Sequence, residues 1–152
     1  MLQNYYKKKI KQILGSDIIK TYDNFGQFYI TINSKNILRI VSILNANSEL
    51  AFSSLTDYFA ADFIQINKTF AIYYQLVSYN LKSSLFITTD ILEGEIMQSI
   101  SLLFENANWF EREIFDMFGI QFNNHPDMRR LLNRPDFPSF PLRKDFVFPN
   151  YA

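Results

Sequence analysis

All five prolines of this 152-residue chain fall in its last quarter, and they constrain the fold more than any other feature. They are Pro126, Pro135, Pro138, Pro141 and Pro149. Each proline ring fixes φ, removes a backbone donor and disfavours a helical conformation in the residue before it. Because four of them lie within residues 135–149, neither a long helix nor a central strand fits there. The sequence therefore predicts an extended segment.

This proline-rich segment also carries apolar side chains at regular spacing: Phe137, Phe140, Leu142, Phe146, Phe148 and Tyr151. A segment with this many rings is too apolar for a solvated tail. It needs a surface to lie on, which belongs either to the chain's own domain or to a partner protein. We favour a partner protein.

Charges of both signs alternate around these rings. The basic members are Arg129, Arg130, Arg134, Arg143 and Lys144, and the acidic members are Asp127, Asp136 and Asp145. Arginine forms bidentate pairs with carboxylates and tolerates partial burial. The mixture favours a specific protein interface over a phosphate-binding groove.

Upstream of residue 120, several apolar stripes have helical spacing. The predicted helices carry Leu2, Tyr6, Ile10 and Ile13 near a basic N-terminus, then Ile37, Ile40, Val41 and Leu44 after a capping Ser34, then Ile96, Ile100, Leu103 and Ala107. We interpret the first of them as an amphipathic helix of the domain rather than a cleavable targeting peptide.

A further helix is predicted to begin at Asn108 and end at Gly119. Asn108 and Glu111 have the spacing of a capping box, and Gly119 supplies a left-handed C-terminus. Arg112 and Asp116 are four residues apart and are expected to pair on the helix surface.

Strands are predicted for residues 28–32, 50–54, 70–79 and 84–89, with an antiparallel hairpin formed by the last two and a turn near residues 57–62. The fold class is therefore α+β. We expect a small antiparallel sheet packed with helices over residues 1–119, followed by an extended partner-binding arm over residues 120–152.

Composition excludes several classes of function. The chain has no cysteine, one histidine, and fifteen basic residues against fifteen acidic ones. Without cysteine there is no disulfide, no thiolate nucleophile and no cysteine-ligated iron–sulfur cluster. Zero net charge argues against nucleic acid as a partner. No stretch approaches the ~18 apolar residues of a membrane span, so a soluble globular domain is expected.

One group of side chains offers candidate chemistry: Glu111, Glu113, Asp116, His125 and Asp127. In one interpretation, His125 is a general base or a metal ligand held by an acid. In the other, His125 caps a turn and the acids are solvated or paired with arginines. No nucleophile, second histidine or glycine-rich loop accompanies them, and we therefore favour the structural interpretation.

Residues 111–120 and 125–132 closely resemble the hallmark of the 30-kilodalton subunit family of respiratory complex I. The two runs read Glu-Arg-Glu-Ile-Phe-Asp-Met-Phe-Gly-Ile and His-Pro-Asp-Met-Arg-Arg-Leu-Leu. Residues 141–146, Pro-Leu-Arg-Lys-Asp-Phe, resemble the family's second hallmark. The resemblance extends over residues 25–152. Ser139 and Phe140 depart from it, standing where the family usually has glycine and often has histidine.

The resemblance implies a non-catalytic core subunit of the peripheral arm of NADH:ubiquinone oxidoreductase. It would dock against the hydrogenase-like large subunit of the quinone module and neighbouring peripheral-arm subunits, without spanning the membrane. The chain would bind no cofactor; NADH, FMN, iron–sulfur clusters and ubiquinone would belong to other subunits. The mitochondrial inner membrane, on the matrix side, is the implied location, with the chain encoded in the organelle.

We assign the sites on this basis. Glu111, Arg112, Glu113 and Asp116 are expected to fix the junction between the domain and the arm. The expected partner-interface residues are His125, Pro126, Asp127, Arg129, Arg130, Pro141, Leu142, Arg143, Lys144 and Asp145. Two alternatives stay open: an equivalent subunit of a plastid NAD(P)H dehydrogenase or membrane-bound hydrogenase, and a small carboxylate/histidine enzyme centred on His125.

Overall fold

The computed structural model describes residues 2–148, and the side chains of residues 5–148. The helices are α1 (Leu2–Leu14), α2 (Ile37–Ala46), α3 (Ile64–Asn67) and α4 (Ala107–Phe118). The strands are β1 (Ile18–Asn24), β2 (Gln27–Ile32), β3 (Ser54–Phe63), β4 (Thr69–Ser78), β5 (Ser83–Leu92), β6 (Met97–Gln98) and β7 (Phe122–Asn123). This arrangement confirms the predicted α+β class.

Five strands form one sheet in the order β1-β2-β5-β4-β3. Neighbours are antiparallel except β2 and β5, which are parallel. The sheet is therefore mostly antiparallel, as expected, with one parallel pair that was not predicted. The exception arises because β2 and β5 are joined by a long crossover through α2 and the β3–β4 pair, and such a connection brings two strands together in the same direction.

One face of the sheet is buried beneath helices. Phe28, Ile30 and Ile32 of β2 all point into the core, as the alternation in the sequence predicts. Tyr6 of α1 packs edge-on against Phe28 with 6.1 Å between ring centroids, and Phe118 of α4 packs likewise against a β4 ring. The core thus fixes where α4 lies, and α4 carries the two buried acids of the candidate site, Glu111 and Asp116.

Several predicted elements are confirmed: α1, β2, α2, and the β4–β5 hairpin. Tyr6 and Ile10 are buried as expected, whereas the side chain of Leu2 lies outside the described residues. The predicted cap is displaced by one residue. Asn33 accepts a hydrogen bond from the Lys35 backbone N–H, while the Ser34 hydroxyl donates to Glu95.

Other predictions are wrong. Strand β1 has no counterpart among the predicted strands, and the predicted turn at residues 57–62 lies inside β3. A register shift between Leu55 and Asp57 interrupts the alternation in β3 and hides the strand. No helix begins at Glu95, because the backbone N–H groups of Met97 and Ser99 donate to the carbonyls of Gln121 and Asn123. These bonds form the short β6–β7 pair instead.

Within the predicted arm, residues 122 and 123 form β7, and residues 124–148 contain turns but neither helix nor strand. It touches its own domain: the Leu142 backbone N–H donates to the carbonyl of Met117 at 3.1 Å. Pro149 and Tyr151 lie outside the described residues. The boundary at residue 119 between domain and arm stays a prediction.

Gly119 allows the close approach of the arm. It ends α4 in the left-handed conformation, with φ +80°. A Cβ atom at this position would lie 2.7–2.9 Å from three ring atoms of Phe140. No side chain fits between α4 and this ring, so the position requires glycine for its backbone conformation and for its packing.

We expect Gly119→Ala to lower the free energy of unfolding by about 1–3 kcal/mol more than Gly94→Ala does. Gly94 is the matched control because it has the same φ, +80°, with no atom within 4 Å of an added Cβ. Urea unfolding of both variants measures the difference. Equal losses would show that Phe140 does not pack against this glycine.

Candidate docking site at the helix–arm junction

The carboxylate of Asp116 organises the start of the arm. It is completely buried in the last turn of α4. Its Oδ2 atom accepts hydrogen bonds from the backbone N–H groups of Leu131, Leu132 and Asn133 at 3.1, 2.7 and 2.8 Å. Its Oδ1 atom accepts from Arg130 at 2.8 Å and from the Asn133 amide at 3.1 Å. Five donors therefore wrap residues 130–133 around one carboxylate.

Arg130 carries the same network further along the arm. Its guanidinium also donates to the carbonyls of Phe137 and Ser139 at 2.8 and 3.0 Å. The charged plane lies over the ring of Phe140, with 4.9 Å to the centroid, and near that of Phe137. One arginine thus ties α4 to two later turns of the arm and holds two rings in place.

The electrostatics of Asp116 follow from these contacts. Burial by itself raises the pKa of the Asp116 carboxyl. The Asn133 backbone N–H, the Arg130 guanidinium and the Leu132 N–H outweigh that effect and hold the pKa well below its usual range. The carboxylate is therefore ionised at neutral pH, as its five donors require.

Arg112 does not pair with Asp116, so the predicted surface pair is wrong. Its guanidinium donates to the backbone carbonyls of Arg129 and Arg130 at 3.1 and 3.3 Å and lies over the exposed ring of Trp109. Asp116 is engaged instead by residues 130–133 of the arm. Both side chains lie where the domain meets the arm, but each binds a different set of groups there.

Glu111 is also buried, and the predicted capping box is wrong. The residue that precedes α4 is Asn106, which forms no side-chain cap, and Asn108 lies within the helix. Glu111 instead accepts hydrogen bonds from the Ser99 hydroxyl at 2.6 Å and the Ile100 backbone N–H at 2.8 Å. Burial raises the pKa of Glu111 to about 7 despite these two donors.

His125 stands next to Glu111, with 3.9 Å between Nε2 and Oε2, and neither side chain is exposed to solvent. Its Nδ1 atom accepts from the Asp127 backbone N–H at 3.0 Å, and its Nε2 atom lies 3.2 Å from the carbonyl of Asn108. These partners indicate the tautomer that carries its proton on Nε2. The interpretation of His125 as a cap of its own turn is confirmed.

The second hallmark, residues 141–146, contacts residues in and beside strands β3, β4 and β5. Arg143 pairs with Glu93 and Asp145 and lies over the ring of Phe70. The Lys144 backbone N–H donates to Asp62 at 2.7 Å. Arg143 is thus engaged within the chain, whereas Leu142 keeps about half of its surface exposed.

Three arginines of the arm pair with an aspartate two residues away: Arg129 with Asp127, Arg134 with Asp136, and Arg143 with Asp145. The Arg129 and Arg134 side chains are about 80% exposed, so these pairs add little stability. The paired aspartates hold the planar guanidinium groups of Arg129 and Arg134 in fixed orientations toward solvent.

The remaining predicted residues lie on the surface: Glu113 and Pro126 are exposed and Pro141 is half-buried. The structure adds Leu132 and Trp109, which are 67% and 59% exposed and are absent from the predicted interface. A large apolar side chain between arginines was the available signal for Leu132.

Within residues 2–148, no group of three His, Asp or Glu side chains could hold a metal ion, and no helix is long and apolar enough to cross a membrane.

Fold and site together form an α+β domain whose C-terminal arm is fastened by the buried carboxylate of Asp116. Residues 30–152 match the family described as the respiratory-chain NADH dehydrogenase, 30 Kd subunit. The chain belongs to this family of complex I subunits of the respiratory chain, as the resemblance implied.

Individual relatives agree. The chain is 37% identical over 142 residues to an NADH-quinone oxidoreductase subunit of the bacterium Ruegeria pomeroyi, covering 93% of this chain and 71% of the relative. It is 37% identical over 151 residues to NADH-ubiquinone oxidoreductase subunit 9 of Acanthamoeba castellanii, covering 99% and 74%.

A solved structure shares the fold. A chain of the membrane-bound sulfane sulfur reductase, an archaeal respiratory membrane complex, superposes with a TM-score of 0.78 at 18% identity, covering 97% of this chain and 86% of that one. At this identity the likeness concerns the fold alone.

We expect Asp116→Asn to lower the free energy of unfolding by about 3–5 kcal/mol, because it leaves Arg130 and three backbone donors without their carboxylate. Asp127→Asn is the control, since it removes an exposed carboxylate paired with Arg129; we expect a change within about 1 kcal/mol. Urea unfolding measures both. Trypsin cleavage after Arg129 and Arg130 should accelerate only in Asp116→Asn, and unchanged cleavage would contradict the role of Asp116.

Glu111 should make stability fall as pH rises. Its folded pKa of about 7 lies above its ordinary value of 4.5. Between these values the folded state holds more protons than the unfolded state, so stability is lost over this window, by on the order of 3 kcal/mol. By about pH 8, one unit above the folded pKa, the loss is complete.

Glu111→Gln removes this titration and keeps an acceptor for Ile100. Relative to wild type, the variant should gain stability between pH 4.5 and pH 8. Urea unfolding at several pH values measures the difference, with exposed Glu113→Gln as the control. A wild-type minus variant difference that stays constant with pH would show that folding does not raise the pKa of Glu111.

Proposed function

We propose that this chain is a docking subunit without catalytic residues of its own. On this proposal it stabilises the hydrogenase-like large subunit of the quinone module in the peripheral arm of NADH:ubiquinone oxidoreductase. It would thereby support electron transfer from NADH to ubiquinone through the cofactors of other subunits. Membership of the 30 kDa subunit family supports the assignment to this complex.

The observation that carries the docking role is the preorganised arm. The network around Asp116 and Arg130 fixes an irregular backbone that regular secondary structure cannot hold. A surface ordered before binding loses less conformational entropy in the complex. The arm offers exposed Arg129, Leu132, Arg134 and Leu142, which include the residue types that dominate protein interfaces.

The proposal divides eleven of the fourteen predicted interface residues into two groups. Glu111, Arg112, Asp116, His125 and Arg130 would act indirectly, because their side chains shape the arm from within. Pro126, Asp127, Arg129, Leu142, Lys144 and Asp145 would meet the partner, together with Leu132. A permanent contact of this kind commonly buries more than about 2,000 Å².

The location follows from the same proposal. Relatives named subunit 9 in Reclinomonas americana and Acanthamoeba castellanii support the mitochondrial form of the complex. The chain would then lie on the matrix side of the inner membrane, held by other subunits. An equivalent place in a plastid dehydrogenase or a membrane-bound hydrogenase is the alternative.

A carboxylate/histidine enzyme is the second alternative. Its candidate residues, Glu111 and His125, do lie 3.9 Å apart. Both side chains are closed off from solvent, and both nitrogen atoms of the imidazole already have backbone partners. A substrate could not reach them without opening the junction, which argues against catalysis there.

We expect Arg129→Glu and Leu132→Asp to reduce incorporation into the complex while the isolated chain keeps its stability. Both side chains are exposed, and reversing a charge or adding one at an interface disturbs docking more than folding. Lys8→Glu, on the exposed surface of α1, is the control. Blue-native gels measure incorporation and urea unfolding measures stability. Normal levels of assembled complex in both arm variants would contradict the proposal.

A further inference from the structure

A cleft of about 170 Å³ lies between β3 and α4. Its walls include Tyr58 and Ala60 of β3, Phe110, Ile114 and Met117 of α4, and Leu142 of the arm. Ala60 belongs to the face of β3 that carries buried Tyr58. Because alanine is small, it leaves unfilled space opposite the larger side chains of the helix.

The size of the cleft matches one large side chain. An apolar cavity of roughly 150 Å³ accommodates benzene. A leucine or phenylalanine side chain would therefore fill this cleft and exchange water for apolar contacts on three sides. The cleft is also accessible, since β3 is the outermost strand of the sheet.

Two carboxylates, Asp57 and Glu113, stand among the lining residues. Neither forms an ion pair within the described part of the chain. The nearby arm residue Lys144 uses its backbone N–H on Asp62 and has no ion pair with either rim carboxylate. Unneutralised negative charge beside an apolar opening complements a cation next to an apolar side chain.

We propose that this cleft binds an extended segment of a neighbouring subunit. One large apolar side chain of that segment would enter between Ala60 and Met117, and an adjacent Lys or Arg would pair with Asp57 and Glu113. The inference rests on the proposed docking function. It adds a second contact surface beside the arginine-rich arm. The arm favours a negatively charged partner surface, whereas the cleft rim favours a positively charged one, and Leu142 lies at both surfaces.

Residues 149–152 of this chain, Pro-Asn-Tyr-Ala, offer an aromatic ring but no basic residue. They lack the positive charge that the rim favours. The observations therefore favour a partner segment over this chain's own C-terminal residues.

Filling the cleft tests the apolar half of the inference. Ala60→Leu should keep or raise the melting temperature of the isolated chain, yet reduce its retention in the assembled complex by about tenfold during washing in mild detergent. Glu113→Lys tests the charged half on an exposed side chain and should reduce retention most at low salt, where ion pairs are least screened. Glu105→Lys, on an exposed residue just before α4, is the matched control and should behave like wild type.

Retention of both variants at wild-type level would overturn the inference, and if Ala60→Leu does not fold, Glu113→Lys decides. Failure of this inference differs from failure of the docking function. If Arg129→Glu and Leu132→Asp lose incorporation while the cleft variants keep it, the cleft is not an interface. If Arg129→Glu and Leu132→Asp both incorporate normally, docking itself is refuted.

A photo-cross-linker identifies the occupant. With p-benzoylphenylalanine at position 113 of the full chain in the assembled complex, we expect cross-links to a neighbouring subunit's peptide in which a large apolar residue adjoins Lys or Arg. The same group at position 105 should not label that peptide. Cross-links only to this chain's residues 149–152, to a second copy or to lipid would contradict the proposal, as would their absence.

Discussion

The buried carboxylate of Asp116 holds together the part of the site that the arm contributes. Proline and irregular backbone leave residues 130–140 without a helix or strand to satisfy their polar groups. Asp116 accepts from three consecutive backbone N–H groups, and Arg130 covers two of the carbonyls that follow. Since each partner compensates the burial of the other, removing either one leaves a buried charge without its match.

This arrangement explains why the arm can present arginines without depending on them for its own fold. Arg130 and Arg143 are engaged with the domain, whereas Arg129 and Arg134 are oriented at the surface by aspartates two residues away. One side of the arm is sheltered by its own domain through Phe140, Leu142 and Lys144. In the proposed function, another subunit covers the exposed side of the arm.

Glu111 and His125 form a second buried junction of a different kind. Glu111 fastens α4 to residues 99 and 100, and His125 fastens the beginning of the arm to Asn108 and to its own turn. Few polar partners face Glu111, and burial raises its pKa to about 7, whereas the five donors around Asp116 keep that pKa low. The two acids belong to one helix, yet their surroundings give them opposite electrostatic behaviour.

Local sequence patterns were sufficient for the features that depend on neighbours along the chain. Apolar alternation marked β2, β4 and β5, Gly119 marked the end of α4, and the prolines excluded regular structure near the C-terminus. The hallmark residues also identified the family. The groups that the two acids bind could not be predicted in this way, because the donors to Asp116 come from residues 14–17 positions away and those to Glu111 from residues 11 and 12 positions away. The parallel β2–β5 contact and the bulged β3 likewise emerge only in the folded chain, since the packing of distant segments overrides local spacing.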